Sequence, residues 1–449
     1  MGTSEHDIEQ RQKRLQALAA RGDLAGVREH AAELHPSDLA DLVESLDEAQ
    51  QIELLSALPT ELASDTLAEM EEGEERGDLL AALTPEKGAE LLHDLPDDDA
   101  VDLISELEPD EQSKILAELS VDEAGELKGL LQYDEETAGG LMTTELVEVE
   151  ARLTAGQAIE QVRAQGQGVE DFYTVFVVDV DRRLLGTLRL DDLIIAHPEE
   201  SIEALVEEPV ATVMPDVDQE QVGRLIARYN LAAIAVVTEA GELLGRITFD
   251  DVIDVIEAEQ TEDIFRLAGV TDEDELKHTW TQSVRTRLPW LLLNLLTASL
   301  AASVILLFEE TIDAVITLVF IAPIIAAMGG SSGTQSLAVT IRRITIQGSG
   351  SARGFVAKEI LIGLVNGAVL GGGIAAIAFV LDGDPMLGMV VFLAMWGNQV
   401  VAGFAGAFIP TTLDRMGVDP SVASSVFVHT LTDLCGFFLL LGLASKLLL

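Results

Sequence analysis

The 449-residue chain has one cysteine, Cys435, which excludes an internal disulfide and a thiolate metal cluster. It is poor in positive charge, with 27 Lys and Arg against 78 Asp and Glu and a formal net charge of −51. A basic footprint that displaces counterions from phosphates is therefore missing, which excludes nucleic acid as a partner. Docking on anionic lipid is disfavoured for the same reason, whereas a cation-binding surface or adaptation to high salt fits. Only seven of the bases are Lys, a bias expected of a salt-adapted chain. The polar, partly basic N-terminus (Arg11, Lys13, Arg14) is followed by no apolar h-region, so no cleavable signal peptide is expected. GxxxxGK[ST] is absent, so nothing points to ATP hydrolysis, and no HExxH spacing or paired nucleophile and base suggests an enzyme.

What is present divides in two. The first 287 residues hold 69 acids and 21 bases, and the rest only nine acids and six bases. Five apolar stretches fill the last third: 288–308, 314–341, 360–381, 385–413 and 420–445. Each reaches the roughly 20 residues that cross about 30 Å of hydrocarbon. Arg285 and Arg287 precede the first. Loops with bases (Arg342, Arg343, Arg353, Lys358; then Arg415) alternate with loops without them. The positive-inside rule then predicts a cytoplasmic N-terminus and an external C-terminus.

Within the spans, Asp433 is the one acid deep in an apolar run. A carboxylate at the bilayer centre costs roughly 3 kcal/mol on insertion scales, so an ion pathway is preferred over a buried helix–helix hydrogen bond. His429, one turn earlier, reads as a packing or polar-lining residue rather than a ligand. The second span breaks its apolar run at Pro323 and at Met328–Gln335, predicting unwound or closely approached backbone whose carbonyls suit a hard cation. Gly371–Gly373 reads as plain helix packing. Asn366, Asn398, Gln399, Thr430 and Thr432 add polarity, and Glu359 reads as an exposed carboxylate at the cytoplasmic edge.

The acidic region carries an 11–13-residue repeat: Pro36–Leu46, Asp47–Leu58 and Pro59–Met70, resuming at Pro85–Leu95, Pro96–Leu107, Pro109–Leu119 and Val121–Leu131. Units that open on Pro and acids and close on paired leucines predict short helices stacked into a superhelical array. From residue 141 the pattern changes. The β-rich runs Phe172–Asp179 and Leu231–Val237 align at an offset of 59. Each continues through a turn, a second strand and an Asp-Asp N-cap into a helix beginning at Leu193 or Val252.

"LLGTLRLDDLI" and "LLGRITFDDVI" resemble a tandem of CBS domains. With the helical array, "YDEETAGGLMT" (Tyr133–Thr143), "MGGSSGTQSLAV" (Met328–Val339) and "GVDPSVASSVFVHTLTDLCGFF" (Gly417–Phe438), nearly the whole chain resembles the MgtE family of magnesium channels and transporters. The resemblance implies a multidomain architecture: an all-α superhelical N domain (1–135), an α/β tandem CBS pair (136–262, with halves at 141–202 and 210–262), a connecting helix (263–287), and an all-α polytopic membrane domain of five helices (288–449).

It further implies a homodimer in the cell membrane, with membrane lipid around it and a central pore that passes magnesium. Asp433 then holds the hydrated ion, beside Gly329, Gly330 and Ser331. Ser331 stands where the family has Asn, so the segment's backbone carbonyls carry over rather than that side chain. A regulatory set of carboxylates is implied at Asp98, Asp102, Glu220, Asp251, Asp254, Glu259, Glu262 and Asp263, which bind cytosolic magnesium and close the pore. Each of these is also readable as a surface acid or helix cap, and Asn230 stands where some relatives have Asp. ATP at the CBS pair is a possible further cofactor. The alternatives are a membrane-anchored, nucleotide-sensing CBS scaffold and a transporter of other divalents such as cobalt.

Overall fold

The computed structural model describes residues 11, 13–15, 17, 18, 21, 23–31, 34–71, 74–167, 169, 172–270, 280–347, 352–416, 418 and 424–449. It divides into two units, Met1–Ile256 and Glu257–Leu449.

In the first unit the repeats fold as short helices: α1 (Leu24–Ala31), α2 (Pro36–Glu44), α3 (Glu48–Ala57), α4 (Thr60–Ala68), α5 (Glu74–Ala82), α6 (Pro85–His93), α7 (Asp97–Ser105), α8 (Pro109–Leu116) and α9 (Val121–Leu130). Their starts are capped. Asp47 accepts from the Gln50 N–H at 3.0 Å, Thr84 from Lys87 at 3.3 Å and Ser120 from Glu123 at 3.2 Å. Proline occupies the first turn of α2, α6 and α8, where its missing N–H costs nothing. Each helix packs on the one two places ahead, from α1 on α3 through to α7 on α9. This makes an array in which the paired leucines (Leu54 and Leu55, Leu91 and Leu92) are buried.

Helix α5 fills the gap in the repeat. Its sequence has no proline, although it carries a buried leucine pair, Leu79 and Leu80. It is held by Arg76, 4% exposed, which donates from Nη2 to Glu106 at 2.7 Å and from Nη1 to the Ala68 carbonyl at 3.2 Å.

The tandem follows. Strands β1 (Glu148–Glu150), β2 (Thr174–Val178) and β3 (Leu184–Arg189) form one sheet, with α10 (Ala155–Gln165), α11 (Leu190–Ile195) and α12 (Ile202–Leu205). Strands β4 (Thr212–Val213), β5 (Ala233–Val237) and β6 (Leu243–Thr248) form the second, with α13 (Gln219–Tyr229) and α14 (Phe249–Ala268). In each sheet the central strand, β2 or β5, pairs in parallel with the strand before it and antiparallel with the strand after it. The offset of 59 holds from β2 and β5 onward. Between α10 and α13 it is 64, because the first half has five more residues between helix and strand.

The halves also trade edges. Thr143 and Arg246 exchange two backbone hydrogen bonds of 3.0 Å, so the segment ahead of β1 pairs with the second sheet. Glu207 pairs likewise with Thr187 of the first sheet, at 2.9 and 3.0 Å. One continuous core joins the helical array to the second half, through Met142, Val222, Ile247 and Val252.

Two local expectations are corrected. The Asp-Asp pairs are not N-caps. The helices start earlier, at Leu190 and Phe249, so both pairs lie in the first turn, where carboxylates face the helix dipole. No single connecting helix spans 263–287. Helix α14 ends at Ala268, followed by Gly269 at φ +79°, a left-handed conformation that terminates helices; residues 271–279 lie outside the described set.

In the second unit, among the described residues, five helices are long and apolar enough to cross a membrane: α15 (Trp280–Leu307), α17 (Thr317–Gln347), α18 (Ala352–Asp382), α19 (Pro385–Arg415) and α20 (Ser424–Leu447). The short α16 (Glu309–Ala314) joins the first two. Helix α19 lies at the centre, against α17, α18 and α20. It buries Asn398 and Gln399 completely. The Asn398 amide donates to the Ile325 carbonyl, and that of Gln399 to Met328, both at 3.0 Å.

Candidate functional site

In the membrane unit, α17 and α20 line an open groove of about 610 Å³. Gly330, Ser331, Thr334 and Gln335 come from α17, and His429 and Asp433 from α20. Asp433 is half-buried in the middle of its helix. His429 Nδ1 lies 2.8 Å from the Ser425 carbonyl and donates to it, so the ring is oriented by its own helix. The groove therefore brings Asp433, Gly330 and Ser331 together.

Gly329 is not on it. A Cβ there would run into the Asn398 amide and Thr432 of the neighbouring helices. The expectation of unwound backbone is also corrected, since α17 stays helical through Met328–Gln335. Small residues here serve close approach: a Cβ at Gly333 would meet Val428 at 2.5 Å. The segment's carbonyls remain in the helical ladder, and Gly330's also accepts from Thr334 Oγ1 at 3.0 Å. Polarity in the groove thus comes from side chains. In the Gly371–Gly373 run only Gly371 packs closely, against the Phe392 carbonyl. A Cβ on Gly372 or Gly373 would meet nothing within 4 Å.

A second constellation lies in the first unit. Helix α7 begins Asp97-Asp98-Asp99 and abuts the segment 143–145, where Thr144 Oγ1 donates to Asp97. Arg246 of β6, 6% exposed, donates from Nε to the Glu145 carbonyl at 2.8 Å. Asp251, in the first turn of α14, accepts from the Thr248 N–H at 3.1 Å and from its hydroxyl at 2.5 Å.

The carboxylates interact. Burial pushes Asp98 well above the ordinary carboxylate range, and the charges of Asp251 and Asp99 push it further. Burial, with the charge of Asp251, raises Asp99 to about 6, and burial is also the main cause of a raised Asp251. Burial lowers the Arg246 guanidinium, against the pull of Asp98 and Asp251. Oδ1 of Asp98 is buried with no hydrogen-bond partner. Three partly buried acids thus lie against Arg246, with Arg76 also acting on Asp99, an arrangement in which negative charge exceeds positive charge among the described residues.

Asp99 belongs to this cluster as well, beyond the residues that the resemblance singles out. The charges that act on Asp98 are those of Asp99 and Asp251, and Asp102 lies one turn further along the same face of α7. Glu220 is engaged by Arg224 at 3.0 Å, one turn along α13. Asp254 is exposed, Glu259 is half-buried and Glu262 pairs with Arg266 on α14. Of the Asp263 side chain nothing is described. Asn230 caps α13 at φ +53°, a left-handed position that Asn tolerates well. Among the described residues no three His, Cys, Asp or Glu side chains converge to hold an ion by protein ligands alone.

The comparisons with known proteins match this order of parts. The MgtE divalent cation transporter family matches residues 322–443, the MgtE intracellular N domain 34–136, and the CBS domain 138–199 and 202–258. The magnesium transporter MgtE of Thermus thermophilus is 34% identical over 97% of this chain and 98% of its own length. The chain belongs to the MgtE family.

The magnesium transporter MgtE of Enterococcus faecalis is 39% identical over 93% of both chains. The crystal structure of the soluble part of a magnesium transporter matches with TM-score 0.52 and 35% identity, over 56% of this chain and 99% of that one. The cytosolic domain of the Mg2+ channel MgtE in complex with ATP matches with TM-score 0.52 and 34% identity, over 54% and 99%. This MgtE chain is a multi-pass membrane protein with a helical N region and a CBS pair, and its family is one of transporters rather than enzymes. The relatives favour transport over a membrane-anchored nucleotide sensor.

Proposed function

We propose that this chain is a magnesium channel of the cell membrane, with its N-terminus in the cytoplasm and its C-terminus outside, closed by cytosolic magnesium. The observation that carries the reading is Asp433 on the groove with Gly330 and Ser331, inside a helix long enough to span the bilayer. Magnesium sheds its waters reluctantly. Six waters at about 30 Å³ each need roughly 180 Å³, which the groove exceeds severalfold. The Asp433 carboxylate accepts hydrogen bonds from those waters, and Ser331, Thr334 and Gln335 add polar contacts. Oxygen donors of this kind favour a hard ion over softer divalents such as cobalt. The groove is open on one side, which supports a homodimer in which a second copy completes the pore.

Asp98, Asp99 and Asp251 serve as the cytosolic sensor, with the acids of α14 (Asp254, Glu259, Glu262, Asp263), Asp102 and Glu220 as further candidates. Their buried negative charge destabilises the closed contact until a divalent ion offsets it, so magnesium shifts the population toward that contact. ATP binding at the CBS pair is supported by the ATP complex of the similar cytosolic domain.

Proteoliposome flux of magnesium and cobalt tests the pore. Asp433→Asn should abolish magnesium flux and leave the melting temperature unchanged. Normal flux in that variant would remove Asp433 from the path.

A further inference from the structure

A second polar cavity, of about 240 Å³, lies in the membrane unit between α17, α18 and α19. Gln335 and Ser336 line it from α17, Glu359 and Asn366 from α18, and Gln399 from α19. Glu359 is the surprise. The sequence reading makes it an exposed acid at the membrane edge, yet it is 5% exposed. The reason is packing: the backbone of Glu359 lies directly against Gly403, whose lack of a side chain lets α18 and α19 close over it.

The cavity's polar groups fall into two sets. Ser332 donates to Gln399, the Gln399 amide donates to the Met328 carbonyl, and Ser336 donates to the Gly403 carbonyl at 3.2 Å. Those groups are satisfied within the protein. The Glu359 carboxylate and the amides of Gln335 and Asn366 make no hydrogen bond or ion pair among the described residues. Lys358 also lines the cavity, but its ammonium lies 5.6 Å from the Phe355 ring centroid and forms no ion pair with Glu359. The residue Glu359 is 5% exposed, yet its carboxylate oxygens are not among the enclosed atoms that lack a partner, so the carboxylate opens onto the cavity, where a cation would offset its charge. Six waters of a hydrated divalent ion need roughly 180 Å³, so one such ion fits. Gln335 lines both this cavity and the Asp433 groove, so the two share a wall.

We propose that this cavity binds a hydrated divalent cation, with Glu359 as its anionic group and the side-chain oxygens of Gln335 and Asn366 accepting from the ion's waters. It is a second ion station beside the groove. The inference builds on the reading of the groove as a divalent-cation path, and the two can fail separately.

The test uses the full chain in nanodiscs. With Cys435→Ala, Ile362→Cys places a single thiol on the cavity wall. Ten millimolar magnesium should slow its modification by a small methanethiosulfonate about tenfold when the site is nine-tenths filled. Glu359→Gln should remove that protection, Asp433→Asn should leave it, and sodium at equal ionic strength should not reproduce it. Equilibrium dialysis should count one fewer magnesium per chain in Glu359→Gln, with an unchanged melting temperature. Protection that survives Glu359→Gln, equal protection by sodium, or an unchanged magnesium count would each overturn the second station. Absent flux through a protein that still shows Glu359-dependent protection would instead overturn the channel reading.

Discussion

At the scale of single residues, burial decides which acids matter in a chain that has 78 of them. Asp98, Asp99 and Asp251 differ from the solvated majority because water is withheld from them while their charges oppose one another. Asp98→Asn with Asp251→Asn should therefore raise magnesium-free stability of the cytosolic part by about 1–3 kcal/mol. The pair should also abolish closure by internal magnesium in inside-out patches. Lower stability in denaturant melts would show that the carboxylates do not oppose one another. His93 offers a pH-dependent contact. Its Nδ1 lies 2.8 Å from Glu123 Oε1, and that hydrogen bond raises the imidazole above its ordinary value. The sign follows from linkage: the contact's contribution is complete below the ordinary His pKa and is lost as pH rises through the raised one. Glu123→Gln should return the His93 titration, followed by NMR, to the ordinary range.

At the scale of elements, glycine sets how closely the membrane helices approach. A Cβ at Gly406 of α19 would meet the Gly333 carbonyl of α17 at 2.6 Å, a backbone atom that cannot swing aside. Gly406→Val should cost about 1–3 kcal/mol or more by overpacking. Detergent melting and size-exclusion profiles would register it. Gly372→Ala, facing open space, should leave both unchanged. The repeats show the same logic in reverse. Units with proline and paired leucines were legible as helices, because capping and periodicity are local signals. Helix α5 was not, since it opens without proline and its leucine pair stands outside the repeat spacing, while the long-range Arg76–Glu106 pair holds it in place. Nor was the exchange of edge segments between the two CBS halves legible, because backbone pairing across 103 residues (Thr143 to Arg246) leaves no periodic trace.

At the scale of the whole molecule, the net charge of −51 is distributed almost entirely over the first 287 residues. Raising monovalent salt from 0.1 to 1 M shortens the screening length from about 10 to about 3 Å. Self-repulsion of the acidic part should fall and its melting temperature should rise. A melting temperature that drops over that range would mean that ion pairs dominate its stability. Screening acts less on partly buried charges such as Asp98 and Asp251, so closure by magnesium should persist in high salt.

The sequence by itself determined the five spans, the duplicated strands, the helical repeat and the isolation of Asp433. All of these follow from hydropathy and spacing along the chain. Tertiary structure alone decided that Asp99 joins Asp98 and Asp251, that Gly329 packs while Gly330 lines the groove, and that Glu359 is buried. Each of those outcomes depends on helix register against a neighbour distant in sequence, and desolvation follows from that packing rather than from residue type.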